Sequence, residues 1–213
     1  MIIGISGKKQ CGKDTICKII QAIDSCSRTH TPTVEEIVKE LERPTIANSI
    51  WQKHAFADKL KRMCSVLTDF PDITFWESAK IKDMRNPIFG MTNREILQKI
   101  GQSLRENIHP DVWVKALLSG YEVTRIPLEM SRIEPQWIIP DVRMPNEAKT
   151  IKDMGGILIR VNRNTGVIDT HISEIALDDY EGFDFIIDNN GSIEELVIKV
   201  IDVYDRIRTA GEA

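Results

Sequence analysis

The sequence lacks any run of roughly 18 to 20 consecutive apolar residues, the length a helix needs to cross a bilayer. No helical membrane span is therefore expected. The opening Met1-Ile2-Ile3-Gly4-Ile5-Ser6 has neither the basic leader nor the small-residue cleavage site of a signal peptide, so it reads as the first strand of a cytoplasmic protein. Cysteine is scarce: Cys11, Cys17, Cys26 and Cys64 show no C-x-x-C spacing, which argues against a disulfide framework and a structural metal. The histidines His30, His54, His109 and His171 lie too far apart for a local ligand pair. An excess of basic charge is also missing. With a formal net charge of −4, nothing global attracts a nucleic-acid polymer or an anionic membrane, and partners must be argued from local sites.

What is present is enough apolar material for one substantial core. At 213 residues the chain reads as a single domain, 1–213, with insertions. Apolar runs near 1–6, 136–140, 157–161 and 184–188 read as buried strands, with a weaker candidate at 52–56. Helical spacing puts Ile16, Ile19, Ile20 and Ile23 on one face, and the same holds for Ile193, Leu196, Val197, Val200, Ile201, Tyr204 and Ile207. Ser192 with Glu195 forms a capping box, and Pro145 opens a helix that Gly155-Gly156 closes. Strands alternating with helices imply a parallel sheet covered on both faces, with ligands at the carboxyl ends of its strands. Segments 24–33 and 120–135 read as irregular surface connections, and 57–119 as helical material inserted between strands.

The most informative stretch is Gly7-Lys8-Lys9-Gln10-Cys11-Gly12-Lys13-Asp14-Thr15, a G-x-x-x-x-G-K pattern between an expected strand and an expected helix. Glycines let successive backbone N–H groups turn toward phosphate oxygens, the helix start adds positive potential, and Lys13 neutralises the β and γ charges. Thr15 is placed to touch phosphate. Asp14 stands where Ser or Thr usually ligates magnesium, so a carboxylate there would orient metal-bound water or the surroundings of the acceptor phosphate. Cys11 reads as a small loop filler rather than a redox switch.

Trp137-Ile138-Ile139-Pro140-Asp141 is a strand ending in a carboxylate, the arrangement that serves magnesium in P-loop enzymes, and Arg143 follows within reach of a transferred phosphoryl group. Thr92-Asn93-Arg94-Glu95 is a capping box; Arg94, Gln98, Gly101 and Arg105 share one face of the helix it opens. The arginines suit a monophosphate, the glutamine can read a base edge and Gly101 permits close approach of a flat ring, or the face is simply solvated. Asp58 reads as the N-cap of another amphipathic helix. Arg160 and Arg163 precede the turn Asn164-Thr165-Gly166, where an arginine-bearing segment could close over ATP.

Taken in order, Gly7 to Thr15, Phe56 to Lys61, Arg94 to Arg105, Asp111-Val112-Trp113, Asp141 to Ala148, Gly155-Gly156, Arg160, His171-Ile172-Ser173-Glu174 and Asp188 to Ser192 resemble the bacteriophage-type deoxynucleoside monophosphate kinases over nearly the whole chain. The resemblance implies a P-loop NTPase fold, three-layer α/β/α with a five-stranded parallel sheet, a helical acceptor-binding insertion at 57–119 and a lid at 160–176. It implies ATP and Mg2+ as cofactors and a deoxynucleoside monophosphate as acceptor. Lys13, Asp14, Arg143, Arg160 and Arg163 become catalytic candidates, and Asp14, Thr15 and Asp141 metal candidates. Gly7, Lys9, Cys11, Gly12, Lys13, Asp14 and Thr15 would bind the donor, with Asn189-Asn190-Gly191 bordering its adenine. Asp58, Lys59, Arg94, Gln98, Arg105, Trp113, Asp141 and Arg143 would serve the acceptor. A helix start that anchors the lid is the role assigned to Ser173 and Glu174. A homodimer in the host cytoplasm fits this picture. The Gly-Lys-Asp form also resembles phosphomevalonate kinases and, more weakly, dephospho-CoA kinases, which would change only the acceptor. A P-loop switch protein should carry N-K-x-D, which is absent, and a nucleic-acid ATPase should carry basic stripes with aromatics.

Overall fold

The computed structural model describes residues 1–28, 30–70, 75, 79–125, 135–166 and 172–211. Within them the chain divides into two compact units, Met1–His54 with Pro127–Ala213, and Ala55–Ile126.

The first unit is built on the apolar runs. In chain order it holds β1 (Ile2–Gly7), α1 (Lys13–Cys26), α2 (Val34–Leu41) and β2 (Trp51–Lys53). After the second unit's helices come β3 (Gln136–Val142), α7 (Pro145–Asp153), β4 (Ile157–Asn162), α8 (Ile172–Ile175), β5 (Phe185–Asp188) and α9 (Ile193–Gly211). All pairings are parallel, in the order β2-β3-β1-β4-β5. This is the five-stranded α/β sheet expected of a P-loop fold. Ile3, Ile5, Ile138, Ile139 and Ile159 are completely buried, and each contributes roughly 1.5–3 kcal/mol by leaving water. The apolar faces of α1 and α9 close over one side of the sheet through Ile16, Ile19, Ile20, Val197 and Val200. Parallel strands leave their carboxyl ends on one edge, and β1, the central strand, delivers Gly7 there.

Three boundaries differ from expectation. The weak strand at 52–56 is Trp51–Lys53; His54 still donates its N–H to the Ile138 carbonyl at 2.9 Å before the chain leaves the sheet. The segment 24–33 is irregular only beyond Cys26, because tertiary bonds hold the last turn of α1. Asp24 accepts the Ile50 N–H at 2.8 Å, and the Ser25 hydroxyl donates to the Ala47 carbonyl at 2.8 Å. Of 120–135, residues up to Arg125 are helical, and 126–134 lie outside the described residues.

The second unit is helical, with α3 (Ala57–Thr68), α4 (Ala79–Lys82), α5 (Asn93–Asn107) and α6 (Val112–Arg125). Cys64, Phe75 and Ile96 form one buried cluster, with Leu60, Leu97 and Ile100 packed around them, and Trp113, Val114, Leu117 and Tyr121 of α6 are buried as well. The Thr92 box is present: the Thr92 hydroxyl accepts the Glu95 N–H at 3.1 Å, and Glu95 accepts the Thr92 N–H at 2.7 Å. Asp58 is not an N-cap. It lies inside the first turn of α3, and its carboxylate reaches back to accept the Ala55 N–H at 2.9 Å, stitching the turn in front of the helix.

Candidate functional site

The loop between β1 and α1 turns on two glycines. Gly12 precedes α1 at φ 102°, a conformation L side chains rarely adopt, and a Cβ there would strike the Asn189 side chain. At Gly7 a Cβ would lie 2.5 Å from both the Cys11 Sγ and the Val161 carbonyl. Cys11 is buried against that bend, as a filler should be. The Asn189 amide donates to the Cys11 carbonyl at 2.8 Å and so ties the end of β5 to the loop. Asn190 accepts the Asn164 N–H at 2.9 Å, while Gly191 is exposed.

Lys13 folds back onto its own loop. Its Nζ donates to the Gly7 carbonyl at 2.5 Å and the Lys8 carbonyl at 2.7 Å, and lies 3.7 Å from the Cys11 Sγ. Burial pulls its ammonium below the ordinary lysine value; the charge of Arg143 adds to that pull, while Cys11 and Asp14 oppose it. An anion beside Lys13 would therefore be strongly favoured. Asp14 is largely exposed and pairs with Lys53 at 2.5 Å. Thr15, half-buried, follows it in the first turn.

The neighbouring strands bring cations to the same edge. Pro140 cannot donate to a ladder, and the register slips at that place: Gly4 faces Ile139 while Ser6 faces Val142, leaving one extra residue in β3. Asp141 sits in that irregularity, at the carboxyl end. Beyond it, buried Glu147 accepts the N–H groups of Arg143 at 2.8 Å and Met144 at 3.0 Å, fixing the turn into α7. Arg160, on β4, donates to Ser6 Oγ at 3.3 Å and lies over the Phe183 ring. Arg163 is exposed past the end of β4.

Two carboxylates that the residue patterns left without a chemical role complete this edge. Glu174 on α8 accepts the Lys9 N–H at 2.8 Å and pairs with the Arg143 guanidinium. Asp178 pairs with Lys8 at 3.0 Å and accepts from Arg160 at 2.8 Å. Partial burial pushes the Asp178 carboxyl up, but hydrogen bonds and charge from Lys8 and Arg160 outweigh it and hold it below the usual aspartate value. Only the Ser173-Glu174 pair was visible in advance, through resemblance. Asp178 offered no signal, since its partners lie far away in sequence.

The loop thus already receives an anionic oxygen through a backbone N–H, beside a lysine and arginines, and these residues fit a polyphosphate. Among the described residues no three acidic, histidine or cysteine side chains gather into a metal cluster. A hard cation that keeps its water and uses one or two carboxylates plus substrate phosphates needs no such cluster.

All the acceptor candidates except Asp141 and Arg143 lie in the helical unit. Lys59 and Trp113 line a cavity of about 1070 Å³ with Met63, Leu67, Ile100 and Leu104. The Trp113 indole donates to the Gly101 carbonyl at 3.1 Å, and a Cβ on Gly101 would lie 3.1 Å from Leu60. The glycine therefore serves helix packing here, not the approach of a flat ring. Arg94 donates to Asp83 at 2.6 Å, Gln98 is exposed and Arg105 half-buried. His171 lies outside the described residues.

A glycine-cornered loop at the central strand of a parallel sheet is the hallmark of P-loop proteins, and the fold places the chain in that class. Comparison narrows it further. The family described as deoxynucleotide monophosphate kinase matches residues 35–200. The chain belongs to this family and is a kinase. Residues 7–15 precede the matched span, so the loop stands on its own sequence and geometry. A protein of Acanthamoeba polyphaga mimivirus named "Putative deoxynucleotide monophosphate kinase" is 32% identical over 158 residues, covering 71% of this chain and 81% of that protein. Deoxynucleotide monophosphate kinases of Escherichia phage RB69 and Enterobacteria phage T4 are 32% and 31% identical over 50% and 60% of this chain. These matches span 42% and 52% of the two phage proteins, about half their length. Among the described residues no helix is long and apolar enough to cross a membrane.

Proposed function

We propose that the chain transfers the terminal phosphoryl group of ATP to a deoxynucleoside 5′-monophosphate, giving the diphosphate. The observation that carries this reading is the anion-receiving loop, in a chain of this family. Gly7, Lys9, Cys11, Gly12 and Thr15 would line the polyphosphate through loop backbone and hydroxyl, Lys13 would neutralise its end, and Asn189, Asn190 and Gly191 would border the base. Arg143, Arg160 and Arg163 would meet charge developing on the transferring group, with 160–176 acting as a lid. Asp58, Lys59, Arg94, Gln98, Arg105 and Trp113, in the 57–119 insertion, would hold the acceptor, with Asp141 and Arg143 at its phosphate. Magnesium, held by Asp14, Asp141 and Thr15, would supply charge neutralisation at the phosphates.

The attacking phosphate oxygen is already ionised near neutral pH, so the protein's work is placement and electrostatics, with no general base required. Host cytoplasm as compartment is supported by the viral source of the relatives. Homodimeric assembly belongs to the same proposal, and light scattering decides it.

The test is ADP production measured across deoxynucleoside monophosphates, ribonucleotides and mevalonate 5-phosphate. Turnover is expected with one or more deoxynucleotides. ADP release at the same rate with no acceptor would remove the reading, and activity confined to mevalonate 5-phosphate would replace the acceptor.

A further inference from the structure

The stretch from α8 to Asp178 carries two carboxylates engaged with groups that the kinase reading needs for phosphate. Glu174, its side chain only 7% exposed, takes the Lys9 N–H and pairs with Arg143. Asp178 spans Lys8 and Arg160. Phosphate and carboxylate oxygens seek the same N–H and guanidinium donors. A single amide N–H serves one anion at a time, and two anions on one guanidinium repel each other. Glu174 is also not needed to shape the turn at Arg143. Glu147 already holds the Arg143 and Met144 amides from the other side.

We propose that Glu174 is an internal stand-in for a donor phosphate: it holds the Lys9 amide and Arg143 in register, then yields both to the polyphosphate when the donor binds. The idea rests on the kinase reading. Glu174 is on this account a positioning residue, and donor binding is coupled to displacement of residues 172–178, with Asp178 releasing Lys8 and Arg160 in the same movement. A contact that occupies the loop nine-tenths of the time weakens apparent donor affinity about tenfold.

Glu174→Gln keeps an acceptor for the Lys9 N–H and removes the charge, whereas Glu174→Ala removes both. Calorimetric titration with ATP, without acceptor, should show either variant binding about tenfold more tightly than the wild type. The KM for ATP should fall in step. Unchanged or weaker ATP binding overturns the proposal and leaves Glu174 as a permanent support of Arg143. Wild-type enzyme gives a test free of substitutions, with hydrogen exchange read with and without inorganic tripolyphosphate. Exchange should slow over residues 8–13 and quicken over 172–178. Slowing in both segments overturns the stand-in role alone, and wild-type enzyme that binds neither ATP nor tripolyphosphate sinks the kinase reading with it.

Discussion

On the proposed reading, the two compact units would meet phosphate with different materials. In the sheet unit the receptor is mostly backbone: a loop bent by Gly7 and Gly12, pinned by Asn189 and by Lys13, on a strand whose isoleucines are fully buried. In the helical unit the candidates are side chains on helix surfaces, such as Gln98 and Arg94. Backbone receptors fix geometry at the level of the fold and recognise any polyphosphate. Side-chain receptors can be exchanged without disturbing the fold, which is where selectivity between acceptors belongs.

The largest expected effect tests the sheet unit. Lys13→Ala should lower turnover about 10³-fold, the scale of losing a principal charge-stabilising donor. The far-UV circular dichroism should be unchanged, since the helix and strand on either side are held by the apolar core they share. More than a tenth of wild-type activity would take Lys13 out of the mechanism.

A smaller effect tests the helical unit. Arg94 is half-buried and bonded to Asp83 at 2.6 Å, so it is either an acceptor contact held ready by Asp83 or a brace between α4 and α5. The first reading expects Arg94→Ala to raise the KM for the deoxynucleotide about tenfold, the worth of one charge-assisted bond, with the KM for ATP unchanged. A lower melting temperature with both KM values intact would mark it as a brace.

The same contrast explains what the sequence made legible. The strands showed because burial on both faces demands unbroken apolar runs such as Trp137-Ile138-Ile139. The loop showed because only glycine tolerates φ 102° at residue 12. Glu174 and Asp178 carried no such mark: a carboxylate on a short helix is common, and its meeting with Lys9, 165 residues earlier, exists only in the folded chain. Gly101 was misleading for a related reason, since a small residue on a helix face permits a ligand or another helix equally. Leu60 and Trp113 decide between them.

The smallest effect uses one device that occurs in both units. Thr33 and Glu36 cap α2 as Thr92 and Glu95 cap α5, with the carboxylate accepting the threonine N–H at 2.8 and 2.7 Å respectively. In each case that backbone bond is the main cause holding the glutamate below its usual 4.5, with His30 assisting at Glu36. A folded-state value below the unfolded one means that the stabilisation is complete above pH 4.5 and disappears as pH falls through the lowered value. Thr33→Ala and Thr92→Ala should each cost about 1 kcal/mol at pH 7. The penalty should shrink in acid, where a protonated glutamate draws less on the threonine O–H that donates to it at 3.1 Å in α2 and 3.0 Å in α5. Calorimetric scans at pH 7 and pH 3 measure both. If the two units melt as one, both substitutions shift the same transition. If they melt apart, Thr33→Ala moves the transition of the sheet unit and Thr92→Ala that of the helical unit, making the capping boxes independent reporters of the two regions.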